Sequence, residues 1–323
     1  MRTFVSIRAG LGRTRGLWAM VVFLFLVNLF FSLALAVPLF QDLKDSFGQS
    51  HVGKDMARGF DYLWWEQFRY ESKGVAETFS PSMIGRGAIL DNLEYLLQLR
   101  FFGFPPLLLS LLVLYLLFRT LLTGGIISQL KSRSQNFSLV SFLQGAGTYF
   151  FRFALLMFMS WVFFYLVGGP LRGKLTALIK SVSARSYSEI PEFSLGLLAA
   201  AVVLVLFLFI QMIFDYARIL TVLGDAKNVI ASFLKAVTFS FKNFGSTMGI
   251  SCTLLFFNAI LTVGYIGIIE RIPQSAFGGI LLAFLVQELF VSLVIFLRCW
   301  LYASQFHLYQ SAHDRVTGAE TGA

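Results

Sequence analysis

GGILLAFLVQELFVSLVIFLRCWLYA, residues 278–303, decides the class of fold. At a rise of about 1.5 Å per residue such a run outspans the ~30 Å hydrocarbon core of a bilayer, and it carries only two charges, Glu288 and Arg298. Working outward from it, five more stretches have the same character: 17–40, 104–127, 153–169, 195–214 and 246–268. The whole chain agrees. Of its 323 residues 57% are apolar and 13% charged, which is half the charged share of an average soluble domain (about 25%) and too little to clothe a surface in water. The expectation is an all-α polytopic membrane protein: one domain over 1–323, six transmembrane helices and a long outer loop at 41–103. The stretch 153–169 is the shortest and 246–268 the most polar, so their boundaries are the softest. A cleavable leader competes for the first span through Ala34-Leu35-Ala36, but the apolar run exceeds the 7–15 residues of a signal core and Pro38 follows at once.

Charge placement sets the expected orientation. Arg2, Arg8, Arg13 and Arg15 precede the first span without an acid, and Lys131, Arg133 and Arg152 flank the loop after the second. By the positive-inside rule both lie in the cytoplasm, which puts both termini there. The formal charge of +9 comes from residues that bracket the spans and do not cluster on one soluble face, so the expected partners are anionic lipid headgroups and not nucleic acid. A protein partner in a membrane complex goes with the same reading.

Three further segments look amphipathic. In 226–244, Val229, Ile230, Phe233, Leu234, Val237 and Phe241 recur at helical spacing with Lys227, Lys235 and Lys242 between them, the pattern of a helix lying in the interface. Leu139 to Tyr149 is a weaker version, opened by Asn136 or Ser138 as cap. In the outer loop, 58–70 alternates aromatic rings with charges, which suits the headgroup zone. A repeat is also visible: Ser141-Phe-Leu143 and Ser232-Phe-Leu234 stand 91 residues apart, and Ser6, Gly10 and Gly12 align with Ser141, Gly145 and Gly147 at an offset of 135. This suggests three units, each an interfacial helix followed by a hairpin, although Ser and Phe are abundant enough for chance to compete.

Glu288 is the sharpest candidate for function. It falls 11 residues into its span, roughly 16 Å deep, where a carboxylate is costly. Gln287 adjoins it, and Asn258 and Asn28 lie near the middles of their own spans. Together they form a candidate intramembrane polar site for a proton, an ion or a headgroup; equally, they are interhelical hydrogen-bonding glue. Asp215 and Arg218, three apart at the end of the fourth span, share a helix face and read as an ion pair at the inner interface, more structural than substrate-binding. Arg119 and Arg298 are expected to snorkel to the headgroups. Gly245-Ser-Thr-Met-Gly249 offers a close helix approach, and Thr123-Gly-Gly125 is expected to end or bend the second span.

No catalytic, metal or cofactor constellation emerges. His51, His307 and His313 are scattered, Cys252 and Cys299 lie in separate apolar runs, and phosphate-loop, zinc-helix, nucleophile-elbow and dinucleotide fingerprints are lacking. Three classes stay in play: a non-enzymatic lipid-interacting or scaffold subunit, favoured; a small transporter or channel using Glu288; and, last, a lipid enzyme, for which no acid–base pair can be assembled.

Several segments together carry a resemblance. Phe60-Asp61 with Trp65-Glu66, Thr123-Gly124-Gly125-Ile126, and Asp215-Tyr216-Ala217-Arg218 with Asp225 resemble a family of uncharacterised bacterial six-span inner-membrane proteins. In outline the chain is also similar to the membrane domain fused to some glycerophosphodiester phosphodiesterases, whose catalytic domain has no counterpart here. The resemblance implies an inner-membrane location and a six-helix fold, and no particular activity.

Overall fold

A computed structural model describes residues 2–48, 61–79, 106–132, 136–184, 190–273 and 276–320. The described residues are helical almost throughout: α1 (Arg2–Gly16), α2 (Trp18–Phe47), α3 (Tyr62–Glu71), α4 (Pro106–Lys131), α5 (Leu139–Leu166), α6 (Arg172–Ser183), α7 (Ile190–Leu223), α8 (Val229–Lys242), α9 (Phe244–Ile269) and α10 (Phe277–Glu320). Six helices, or helices run together, are long and apolar enough to cross a membrane. The chain is an all-α, multi-pass membrane protein.

Several boundaries differ from the sequence expectation. The third span is not a separate element, because α5 starts at Leu139 and carries the expected interfacial segment and the span as one continuous helix. It then passes through a π-turn, Val167–Leu171, into α6. Pro170 lies inside that turn, whose wider register accommodates the missing N–H. Likewise α2 runs on to Phe47 through Pro38, taking the first residues of the expected outer loop. Residues 58–60, 104 and 105, and most of that loop lie outside the described residues. Nor do Gly124 and Gly125 end α4, which continues to Lys131. Their absent side chains serve packing instead: a Cβ on Gly124 would stand 3.3 Å from Ala146 Cα, and one on Gly125 would enter the Phe142 ring. Of the expected glycine pair in α9, Gly249 sits against Thr3 while Gly245 faces open space.

The order of elements repeats three times. A short amphipathic segment (α1, the first turns of α5, or α8) leads into an outgoing span (α2, α5, α9), and a second span returns (α4, α7, α10). Each short segment packs chiefly on a returning span: α1 on α10, the start of α5 on α4, and α8 on α7. The face it turns inward is narrow. Ser6, Gly10 and Thr14 are buried on α1, Phe142, Gly145 and Tyr149 on α5, and Ser232, Ala236 and Ser240 on α8. Gly10, Gly145 and Ala236 coincide at the two offsets read from the sequence.

The returning spans α4, α7 and α10 touch one another and form the centre. The dense core gathers where they meet the short helices. Leu17, Met20, Ile127, Phe142, Phe153, Leu156, Phe214, Tyr216, Ile219, Ile250 and Tyr302 are all buried there. Away from that end the spans expose leucine, valine and phenylalanine, as at Phe30, Leu114, Leu197, Phe256 and Leu289, because lipid tails solvate such groups as well as protein does. Cations tie the packed end together. Arg13 donates to the Ser132 carbonyl just beyond α4, Lys131 Nζ donates at 2.8 Å to the Val222 carbonyl at the end of α7, and Arg152 pairs at 2.8 Å with Asp225. Positive charge at helix C-termini complements the helix dipole.

Candidate functional site

The centre of the packed end is a charged cluster on the three returning spans. Asp215 of α7 is 1% exposed, and its Oδ1 accepts from Arg218 Nη1 at 2.8 Å, Gln211 Nε2 at 2.9 Å, and both Arg298 Nη2 and Tyr302 Oη at 3.3 Å. Helical geometry explains the convergence: Gln211, Asp215 and Arg218 stand four and three apart on α7, and Arg298 and Tyr302 four apart on α10, so each set shares one face. Arg298 Nη2 also donates to Tyr302 Oη at 2.7 Å, and its guanidinium lies 4.8 Å from that ring's centroid. Arg119 of α4 completes the group, within electrostatic range of Arg298, Arg218 and Tyr302. Arg119 is exposed.

The charge count is uneven: Arg218 and Arg298 share one carboxylate, and Arg119 adds a third positive charge within electrostatic range of both. Arg218 is buried and paired, and Arg298 shares the same oxygen. Among the described residues no acid pairs with Arg119. Arg298 therefore does not snorkel outward as its position along the helix suggested; it turns inward, drawn by Asp215 and Tyr302.

The polar residues expected at mid-span stand apart from this cluster. Glu288 and Asn28 are half-buried and Gln287 exposed. Asn258 is half-buried, and its Oδ1 is enclosed without a hydrogen-bond partner. Among the described residues no hydrogen bond joins these four. Cys299 is buried and Cys252 exposed on α9.

Asp225 stands in the turn between α7 and α8 with φ +42°, a left-handed conformation that Asp tolerates better than most side chains. Its hydrogen bond from Arg152, together with the charges of Arg152, Lys131 and Lys227, holds its carboxyl below the usual carboxylate range. Between α2 and α4, Asp61 caps α3, accepting from the Leu63 and Trp64 amides at 3.0 and 3.1 Å. Trp64 stacks on Phe47 and Phe68, which binds this helix to the end of α2.

Comparison of the chain with family models, curated proteins and solved structures finds no match.

Proposed function

We propose that this is a non-enzymatic, lipid-interacting protein of a bacterial inner membrane, a scaffold-type subunit whose cytoplasmic end engages anionic headgroups. The observation that carries the reading is the collar of short helices. Each buries a stripe of small or aromatic residues against a returning span and leaves apolar side chains on its other face: Phe4 and Val5 on α1, Val140 and Leu143 on α5, Ile230, Leu234 and Phe241 on α8. Exposed cations accompany them, with Arg2 and Arg8 on α1 and Lys235 and Lys242 on α8. Apolar residues flanked by cations suit a leaflet rich in anionic lipid, each cation near such a surface adding about 1 kcal/mol. The positive-inside bias supports cytoplasmic placement of this end.

The test is thermal unfolding of the full chain in nanodiscs of phosphatidylcholine alone or with a third anionic lipid. Stabilisation by the anionic lipid that shrinks in a Lys227→Gln/Lys235→Gln/Lys242→Gln variant is expected; identical unfolding in both compositions overturns the reading. A second reading, a small transporter or channel, draws on Glu288, which has no hydrogen-bond or ion-pair partner among the described residues. A Glu288→Gln variant that keeps its thermal stability but loses a proton- or ion-dependent flux would favour it.

A further inference from the structure

We infer that the central arginine cluster is a binding site for a phosphate group carried on a lipid, gripped by Arg119 and Arg298. This rests on the lipid-interacting reading above and adds to it a defined site.

Charge is the first argument. A cation within a membrane protein is costly unless paired, yet Asp215 can neutralise only one of the three guanidiniums. Arg218, three residues away on the same helix, takes the short contact, so Arg298 is partly and Arg119 wholly uncompensated. A cluster with two surplus positive charges needs an anion. Guanidinium chemistry narrows which one, because the planar fork of arginine matches the spaced oxygens of a phosphate and binds them two at a time.

Access is the second argument. Arg218 and Asp215 are sealed in the core, whereas Arg119 is exposed, and the side chain of Arg298 keeps 29% of its accessibility. The surplus charge thus lies on the open side of the cluster. On α4 the approach to Arg119 runs past Leu114 and Tyr115, which are 57% and 45% exposed. An anion that arrives over an apolar surface fits one tethered to hydrocarbon better than a hydrated ion. Within this arrangement Asp215 acts as a positioning residue that holds Arg298 in place, and Arg119 and Arg298 make the contact.

The experiment uses the full chain purified in mild detergent and incubated with phosphatidylcholine, phosphatidylglycerol or phosphatidic acid, with bound lipid read by native mass spectrometry, and with inorganic phosphate as competitor. Wild type is expected to hold one anionic lipid through delipidation. Arg119→Gln is expected to weaken retention about 10- to 100-fold, the usual range for losing charge-assisted hydrogen bonds. Arg119→Lys, which keeps charge and loses the fork, should fall between, and its monodisperse elution would show that the fold survives. Equal retention by wild type and Arg119→Gln overturns the site. Displacement of the lipid by millimolar inorganic phosphate would assign the site to a free anion and overturn the lipid assignment. The collar reading fails separately. If the triple lysine variant loses the stabilisation by anionic lipid while Arg119→Gln retains its bound lipid, the site is wrong and the collar stands.

Discussion

Asp215 gathers four donors on one oxygen, and that concentration makes it the residue whose loss should be felt most. Replacing it by Asn leaves Arg218 buried without a counter-charge and releases Arg298 and Tyr302 from α7. Breaking a buried pair by removing one partner typically costs about 3–5 kcal/mol, because a charge stays behind unpaired. Asp215→Asn should therefore lower the thermal midpoint steeply, whereas Arg218→Met in the same background should recover part of the loss by removing the stranded cation. If the double variant is no more stable than the single, the ion pair is not the organising contact. Asp225 behaves differently, since it is exposed and its partner Arg152 only partly sheltered. Its folded-state carboxyl titrates below its unfolded value, so its contribution is present above about pH 4 and fades as pH falls through the depressed folded value. Asp225→Asn, which tolerates the same positive φ, should lower stability modestly at neutral pH and not at all below the depressed folded value, so that the acid limb of a stability–pH curve flattens.

At the scale of elements, the close approach of the short helices to the returning spans depends on missing side chains, and two glycines differ in how their loss could be repaired. A methyl group on Gly145 would collide only with the Ser128 side chain, whereas one on Gly10 would collide with both the side chain and the backbone of Ser304. Each alanine substitution should cost about 1–3 kcal/mol by overpacking. Adding Ser128→Gly should rescue Gly145→Ala; adding Ser304→Gly should leave Gly10→Ala destabilised, since α1 must still move off α10. Paired thermal scans that show equal rescue would contradict this difference. The same elements mark what the sequence made legible. Long apolar runs reveal spans because nothing else needs them, and Asp215–Arg218 was readable because three residues on a helix fix a shared face. The third span's fusion to its leading segment was hidden, since the amphipathic pattern of Leu139 to Tyr149 reads as a separate interfacial helix ahead of an apolar run that starts at Phe153. Arg298 was misjudged for a related reason. Position along a helix gives depth, but the direction of a side chain depends on what the neighbouring helices offer. One signal was present: each returning span carries an arginine within the half that ends at the packed face, Arg119, Arg218 and Arg298, which is hard to explain for three independently snorkelling residues.

Across the whole molecule, the three short helices and the uneven packing imply a polarity. The end built from α1, the start of α5, α8 and the later turns of α10 is sealed and basic, whereas the opposite end is loosely packed and lipid-facing. At 44 residues α10 is roughly 66 Å long, about twice the hydrocarbon thickness, so one end of it must project beyond the bilayer. Its later residues pack on α1, with Trp300 Nε1 donating at 2.8 Å to the Ile7 carbonyl, so the projecting part and the basic helix lie on one side. Six crossings require the α6 region to lie on the other. That gives a labelling prediction with no free choice of geometry. In a Cys252→Ser background, a cysteine at Lys227, exposed between α7 and α8, and one at Ser181, exposed near the end of α6, must react with a membrane-impermeant thiol reagent from opposite sides. In intact spheroplasts Ser181→Cys should label and Lys227→Cys only after lysis, if the positive-inside bias sets orientation. The reverse pattern would keep the six-span fold and invert the protein, placing the arginine cluster in the outer leaflet. Labelling of both from one side would break the six-span topology itself.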